Sequence, residues 1–261
     1  MNGPRAMTSE ANQSVEHVAS LDAFERFIHR DPARRGLCAS ELDEAGRTTA
    51  SRLGAGQLAS AAMDLAVHAR RVAIVTGFFI PHAQPPAAET DGPPGSLFLA
   101  HCLQALGIDA AVITDAPCAN AVRAAAEGIH FPTDRLFVAP VSAESWCEDF
   151  WQSDFASELT HLIAIERVGP SHTPASVVQQ RSEARGQRSE NTKLKTQISN
   201  PDAFLADVAP EHHNRSHNMR GICIDAHTAP LHLLYAWISR KSMMCSTNSR
   251  WAISSRSAAP R

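Results

Sequence analysis

The chain has 261 residues, with 24 basic and 27 acidic side chains, a net charge of −3 and 44% hydrophobic residues, enough to bury a real core within one domain. Near-balanced, interspersed charge excludes the basic face that nucleic acid or an anionic membrane surface would demand, and no apolar run approaches the roughly 20 residues that span a bilayer. Six cysteines (Cys38, Cys102, Cys118, Cys147, Cys223, Cys245) lie scattered without a C-x-x-C pair, and the first twenty residues lack a secretory apolar segment, so a cytoplasmic protein with small-molecule partners is expected.

Residues 1–20 are polar and read as a disordered tail. "SLDAFERFIHRDP" then predicts a short amphipathic helix with Leu21, Phe24, Phe27 and Ile28 on one face. "GQLASAAMDLAVHARR" is a second helix, and "RVAIVTGFF" a continuous apolar run of the kind found in strands buried on both faces. The turn "ETDGPPGS" (89–96) follows. Beyond it Leu99, Cys102, Leu103 and Leu106 recur at helical spacing, with Gly107 where a left-handed helix stop belongs. "DAAVITDA" (109–116), "RLFVAP" and "THLIAIERVG" (160–169) are further buried strands. "CANAVRAAAEG" and "SAESWCEDFWQSDFASE" are the helices between them.

This alternation predicts an α/β fold, a mostly parallel sheet flanked by helices on both faces in Rossmann-like layers. The domain is expected to span 21–238, with a polar, mobile insertion at 170–210 and order returning at "HNMRGICIDAHTAPLHLLYAWI" (217–238). Residues 239–261 are Ser/Arg-rich and predict an irregular tail with neither strand nor helix.

In open parallel sheets ligands bind beyond the carboxyl ends of the strands, and three segments land there. In the first, Thr76 and Gly77 end a strand, Gly92 and Gly95 allow close backbone approach at a helix start, and prolines stiffen the turn. Glu89 and Asp91 would repel an anion there; they suit an ammonium, a metal, or acid and base roles. The plainer alternative is that Asp91 or Thr90 caps the helix and Pro93–Pro94 shape its start. The second segment ends a strand with Glu166 and Arg167. These are either the point where the strand meets solvent, or a proton-transfer group beside a clamp for a carboxylate. The third carries His217, Asn218, Arg220, Asp225, His227 and His232. His213 and His217 have the spacing of a metal-binding helix face, but the surrounding residues do not support a helix. There is no phosphate-binding glycine loop, H-E-x-x-H or G-x-S-x-G. No cofactor is predicted, a divalent metal stays open, and spacing alone stops at a small zwitterionic ligand.

Taken together, "VTGFFIPHAQPPAAETDGPPGSLFLAHCLQALG", "IAIERVGPSHT" and "HNMRGICIDAHTAPLH" resemble the domain at the C-terminal end of D-glutamate cyclases, which also occurs as a stand-alone bacterial protein. The resemblance covers roughly residues 20–235. It implies a lyase of D-amino acid metabolism that converts D-glutamate to 5-oxo-D-proline and water. Chemical logic then assigns Glu89 or Asp91 to the amine, Glu166 to acid–base work, Arg167 to a carboxylate and the Gly92 and Gly95 amides to an oxyanion. Thr76, Gly77, His217, Asn218, Arg220 and His227 are expected to help bind substrate. The family's glycine-rich block, approximately I-G-D-G-G-N-E-I-G-M-G, has no counterpart after "HTAPLH". The expectation is a chain shortened after Tyr235 to Ser239, poorly soluble and short of part of its site. Two alternatives stand beside the lyase: a non-catalytic acidic amino acid binder, and a metal-dependent hydrolase using Asp91, His217 and His227.

Overall fold

A computed structural model describes residues 20, 21, 23–25, 27, 56–142, 144–171, 173, 208–244 and 253–254. Most of the expected N-terminal tail, of the 170–210 insertion and of the C-terminal tail lies outside the described residues. The chain divides into two compact units, Met1–Ala69 and Arg70–Arg261.

In the first unit, helix α1 (Gln57–His68) starts at Gly56, whose φ of 76° favours glycine. No side chain of Gly56 can cap the helix, and Glu25 takes that role from a distance. Its carboxylate accepts from the N–H groups of Gly56 at 2.6 Å and Leu58 at 3.0 Å. This reverses the face expected for the preceding segment. Glu25 is buried, whereas Phe24 and Phe27 are 65% and 66% exposed, because satisfying orphan helix amides decides which side turns inward.

In the second unit, strand β1 (Arg71–Gly77) is followed by an antiparallel hairpin of β2 (Phe79–Ile80) and β3 (Ala87–Ala88), then helix α2 (Gly92–Ala105) and strand β4 (Asp109–Asp115). Helix α3 (Ala119–Gly128), strand β5 (Leu136–Ala139), helices α4 (Glu144–Gln152) and α5 (Asp154–Ser157), and strand β6 (His161–Arg167) complete the expected alternation. Two further short strands, β7 (Pro170–Ser171) and β8 (Arg215–Ser216), pair antiparallel, and α6 (His232–Met244) and β9 (Ile253–Ser254) close the sequence of elements. The segment predicted as one helix across 142–158 is two. Ser153 breaks it, its hydroxyl accepting from Ala156 N–H at 3.3 Å as the N-cap of α5.

The main sheet is parallel throughout, in the order β5-β4-β1-β6-β9. Alternating side chains feed two helical layers, as the two-sided apolar runs require. Ala73, Val75, Ala111 and Ile113 pack with Phe150, Trp151 and Phe155 of α4 and α5 and with Leu234 and Ile238 of α6. Trp151 and Trp237 stack there with ring centroids 4.4 Å apart. Helix α2 packs against β1, β4 and α3, burying Leu97, Ala100 and Leu103. Each fully buried Leu or Ile contributes about 1.5–3 kcal/mol. The buried stripe of α2 is rotated from the expected one. Leu106 is 76% exposed, because the Pro-shaped helix start turns Ser96, Leu97 and Ala100 toward the sheet.

The expected irregular tail also differs. Helix α6 continues past Ile238 to Met244, and Ile253 and Ser254 pair with Leu162 and Ile163 of β6. Leu234 and Ile238 anchor α6 in the core, so the apolar stripe carries the helix beyond the point where polar composition suggests it ends. Among the described residues, no helix is long and apolar enough to cross a membrane.

Candidate functional site

From β1 the chain builds outward through β4 to β5, then returns to place β6 on the other side of β1. The crevice between β1 and β6 is therefore the topological switch point, where open parallel sheets leave room for ligands beyond their carboxyl ends. Thr76 and Gly77 end β1 here, Glu166 and Arg167 end β6, and α2 begins directly above.

Two glycines permit the close approach. A Cβ on Gly92 would stand 2.8 Å from both Glu166 Cβ and Thr76 Oγ1, so any side chain would force α2 off the strand ends. Gly77 has φ of 114°, and a Cβ there would meet Thr114 Oγ1 at 2.7 Å and Cys118 Cβ at 3.0 Å. Gly95 instead faces open space.

Asp91 is the N-cap of α2, its Oδ1 accepting from Gly92 N–H at 3.1 Å. The first turn that follows is unusual for a helix start. Pro93 and Pro94 carry no N–H, and the Gly92 donor is committed to Asp91. The amides that ordinarily make a helix N-terminus an anion site are thus largely removed, and the oxyanion role expected of Gly92 loses its donor.

Glu166 owes its position to a bulge. Thr76 pairs with Ile165 and Gly77 with Arg167, leaving Glu166 as the extra residue with φ of 46°. A left-handed glutamate costs about 1–3 kcal/mol, and bulges re-aim side chains at sheet ends. Glu89 arrives from the β2–β3 hairpin, its N–H donating to Phe78 O at 2.7 Å. One carboxylate oxygen from each of Glu89, Asp91 and Glu166 lies within 4.8 Å of the other two. Glu89 is half-buried, and burial, followed by repulsion from Asp91 and Glu166, raises its pKa above the usual glutamate value.

Arg167, next in the chain, points the other way and has partners within the protein. Its Nη1 donates to Asp115 Oδ2 at 2.6 Å and to Gly77 O at 3.0 Å, and its Nη2 to Ala229 O at 2.6 Å. The side chains of Arg167 and Asp115 are 4% and 1% exposed. The guanidinium expected to clamp a ligand carboxylate is instead a strut joining β1, β4, β6 and the segment before α6. Asp115 also accepts from Ala229 N–H at 3.2 Å. Burial, reinforced by the Asp115 carboxylate, pushes the Cys118 thiol well above its ordinary range. Asp115 went unnoticed in the sequence, although it ends "DAAVITD" as Thr76 and Glu166 end their strands.

The third predicted segment divides. His217 is buried, its Nδ1 2.8 Å from Ser171 Oγ and 2.9 Å from Arg215 O, and its Nε2 3.2 Å from His212 Nδ1. Asn218 Oδ1 accepts from the N–H groups of Arg220 and Ile222 at 2.9 and 3.0 Å, closing a turn, while Arg220 itself is exposed. Burial opposes ionisation of Asp225, but hydrogen bonds from Ser216 and Arg215 outweigh it and hold the carboxyl below its usual range. These residues tie the antiparallel β7–β8 pair to the turns that follow it. His227 leaves that group and leans on Phe79, with ring centroids 5.7 Å apart. Among the described residues, the metal-competent cluster of three is Glu89, Asp91 and Glu166; His217 and His227, expected as ligands in the hydrolase alternative, are not in it.

Comparison with known proteins agrees with the motifs at this switch point. The family described as "D-glutamate cyclase-like, C-terminal" matches residues 37–184, a stretch that contains the whole acidic cluster. The human protein "D-glutamate cyclase, mitochondrial" is 34% identical over 116 residues, 43% of this chain and 18% of the human protein. The chain thus spans less than a fifth of that relative's length. With more than half its residues within the family match, the chain belongs to the D-glutamate cyclase-like C-terminal family.

Proposed function

We propose that this chain is a D-glutamate cyclase-like lyase that closes an acidic amino acid on itself, D-glutamate giving 5-oxo-D-proline and water. The supporting observation is three carboxylates, one of them with raised proton affinity, gathered at the switch point of a chain in this family.

The reaction asks the α-ammonium to lose a proton. The amine nitrogen then attacks the γ-carboxyl carbon and a C–N bond forms; the nitrogen gives up a second proton, and the C–O bond breaks as the leaving oxygen takes up two protons to depart as water. An acidic mouth attracts the ammonium. Glu89, whose proton affinity is raised by burial and by its two acidic neighbours, is the carboxylate placed to accept that proton. Glu166, held outward by its bulge, is the partner that returns a proton to the leaving oxygen. Asp91 is tied to Gly92 N–H and serves as fixed negative charge beside the ammonium.

The test is a chiral product assay on the full chain with D- and L-glutamate, alongside E89Q and E166Q. Product from D-glutamate, reduced about 10²–10⁴-fold in either variant, is expected. Calorimetric binding of D-glutamate by folded protein without product would replace the lyase with the acidic amino acid binder, and unchanged turnover in both variants would remove their roles.

A further inference from the structure

Glu166 is held in a conformation that L residues avoid. Its φ of 46° is left-handed, and it arises because Gly77 of β1 faces Arg167 instead of Glu166. The start of α2 crowds the stem of Glu166, since a Cβ on Gly92 would stand 2.8 Å from Glu166 Cβ, but crowding alone does not choose a register. The hydrogen bonds of Arg167 do. Its Nη1 donates at 3.0 Å to the carbonyl of Gly77, the residue it faces across the strands. Absorbing the bulge would set Glu166 opposite Gly77 and carry Arg167 one residue beyond that carbonyl.

The remaining bonds of the guanidinium point the same way. A pair that served only to balance charge would use both carboxylate oxygens in a bidentate fork. Here Nη1 reaches Asp115 at Oδ2 alone, 2.6 Å away, while Asp115 Oδ1 and Arg167 Nε are buried without a hydrogen-bond partner. The donors turn to the backbone instead, Nη1 to Gly77 O and Nη2 to Ala229 O at 2.6 Å. Asp115 also accepts from Ala229 N–H at 3.2 Å. The ion pair is thus a buried anchor from which one bond grips β1 at the bulge.

We infer that Arg167 is the positioning residue for Glu166: anchored on Asp115, its guanidinium holds the Gly77 carbonyl and so maintains the bulge that turns the Glu166 carboxylate toward Glu89 and Asp91. Its contribution to turnover rests on the lyase reading; its contribution to the bulge does not. Lysine is no substitute, because a single ammonium lacks the planar fork that reaches Asp115, Gly77 O and Ala229 O at once.

Two cycles of variants test this, and the first needs no substrate. Glycine accepts a left-handed φ and weakens an extended strand, whereas alanine does the opposite. The melting temperature of E166G minus that of E166A therefore reports the conformation at position 166. In the parent this difference should be positive, about 2–4 °C. In R167M/D115N, which removes both buried charges together, it should vanish or change sign; R167K is the second background should that one not fold. In R135K, which alters an arginine paired with Asp109 at the start of β4, it should match the parent. A positive difference that persists in folded R167M/D115N or R167K overturns the inference, and so does no difference in the parent. The second cycle follows turnover of D-glutamate. R167K should lower kcat by about tenfold to a hundredfold with KM little changed, and R167K/E166Q should be no slower than E166Q, because both changes remove one function. An unchanged kcat in R167K, or a loss that multiplies with that of E166Q, overturns the positioning role. Absence of product in the parent, or unchanged turnover in E166Q, removes the lyase reading or the part of Glu166 in it, and the melting cycle then decides the inference alone.

Discussion

Glu166 and Arg167 are neighbours at one strand end, yet they belong to two regions with opposite electrostatic solutions. Behind the strand ends, Arg167 meets Asp115, with the carbonyls of Gly77 and Ala229 completing its partners, nearly out of contact with water. In front of them, Glu89, Asp91 and Glu166 face one another as a cluster of three acids. Charge that is balanced inside the protein holds the fold together. Charge that the fold leaves unbalanced, and strains a backbone to present, waits for something to bind.

The largest effect should come from breaking the balanced region. R167A leaves Asp115 buried without its counter-charge, and loss of one partner from a buried pair costs about 3–5 kcal/mol. A large fall in the urea midpoint is expected, with much of it recovered when D115N is added to R167M. Unchanged stability in R167A would show that Arg167 is not a strut, and would return it to the ligand side of the comparison.

The glycines that bring the two regions together come next. G77A adds a methyl group 2.7 Å from Thr114 Oγ1 at a backbone angle that L residues avoid, and G92A forces a carbon to 2.8 Å from Glu166 Cβ and Thr76 Oγ1. Overpacking of this kind costs about 1–3 kcal/mol. G95A is the internal control: its Cβ meets open space, and replacing a helical glycine should stabilise by about 0.5–1 kcal/mol. A destabilised G95A with unaffected G77A and G92A would invert the packing described for the helix start.

Much of this was legible in the sequence, because turn chemistry and apolar periodicity are local. "DGPPG" announced a capped, proline-shaped helix start, and Asp91 does cap it. The apolar runs announced the parallel strands. What stayed hidden depends on pairing between distant segments. Whether Glu166 or Arg167 faces the ligand is decided by a bulge in the β1–β6 register. The partner of Arg167 lies 52 residues away at the end of another strand. Nor could spacing reveal that Glu25 would turn inward over Phe24 and Phe27, since the helix amides it serves begin 31 residues later.

The smallest effect is the most specific to the unbalanced region. Burial, then Asp91 and Glu166, raise the folded pKa of Glu89 above its ordinary value. Between those two values the native state therefore binds more protons than the unfolded chain, and stability must fall as pH rises through that window. Below the window Glu89 is protonated in both states and the penalty vanishes; above it the penalty is complete. E89Q keeps the shape and removes the titration. The melting temperature of E89Q relative to the parent should climb slightly as pH rises above the ordinary glutamate range and then level off. A flat difference would mean that solvent or counter-ions already offset the three carboxylates, and the contrast between the two faces of the strand ends would lose its electrostatic half. A difference that climbs in E89Q but not in a Glu211→Gln control, which alters an exposed acid outside the cluster, ties the effect to the cluster rather than to net charge.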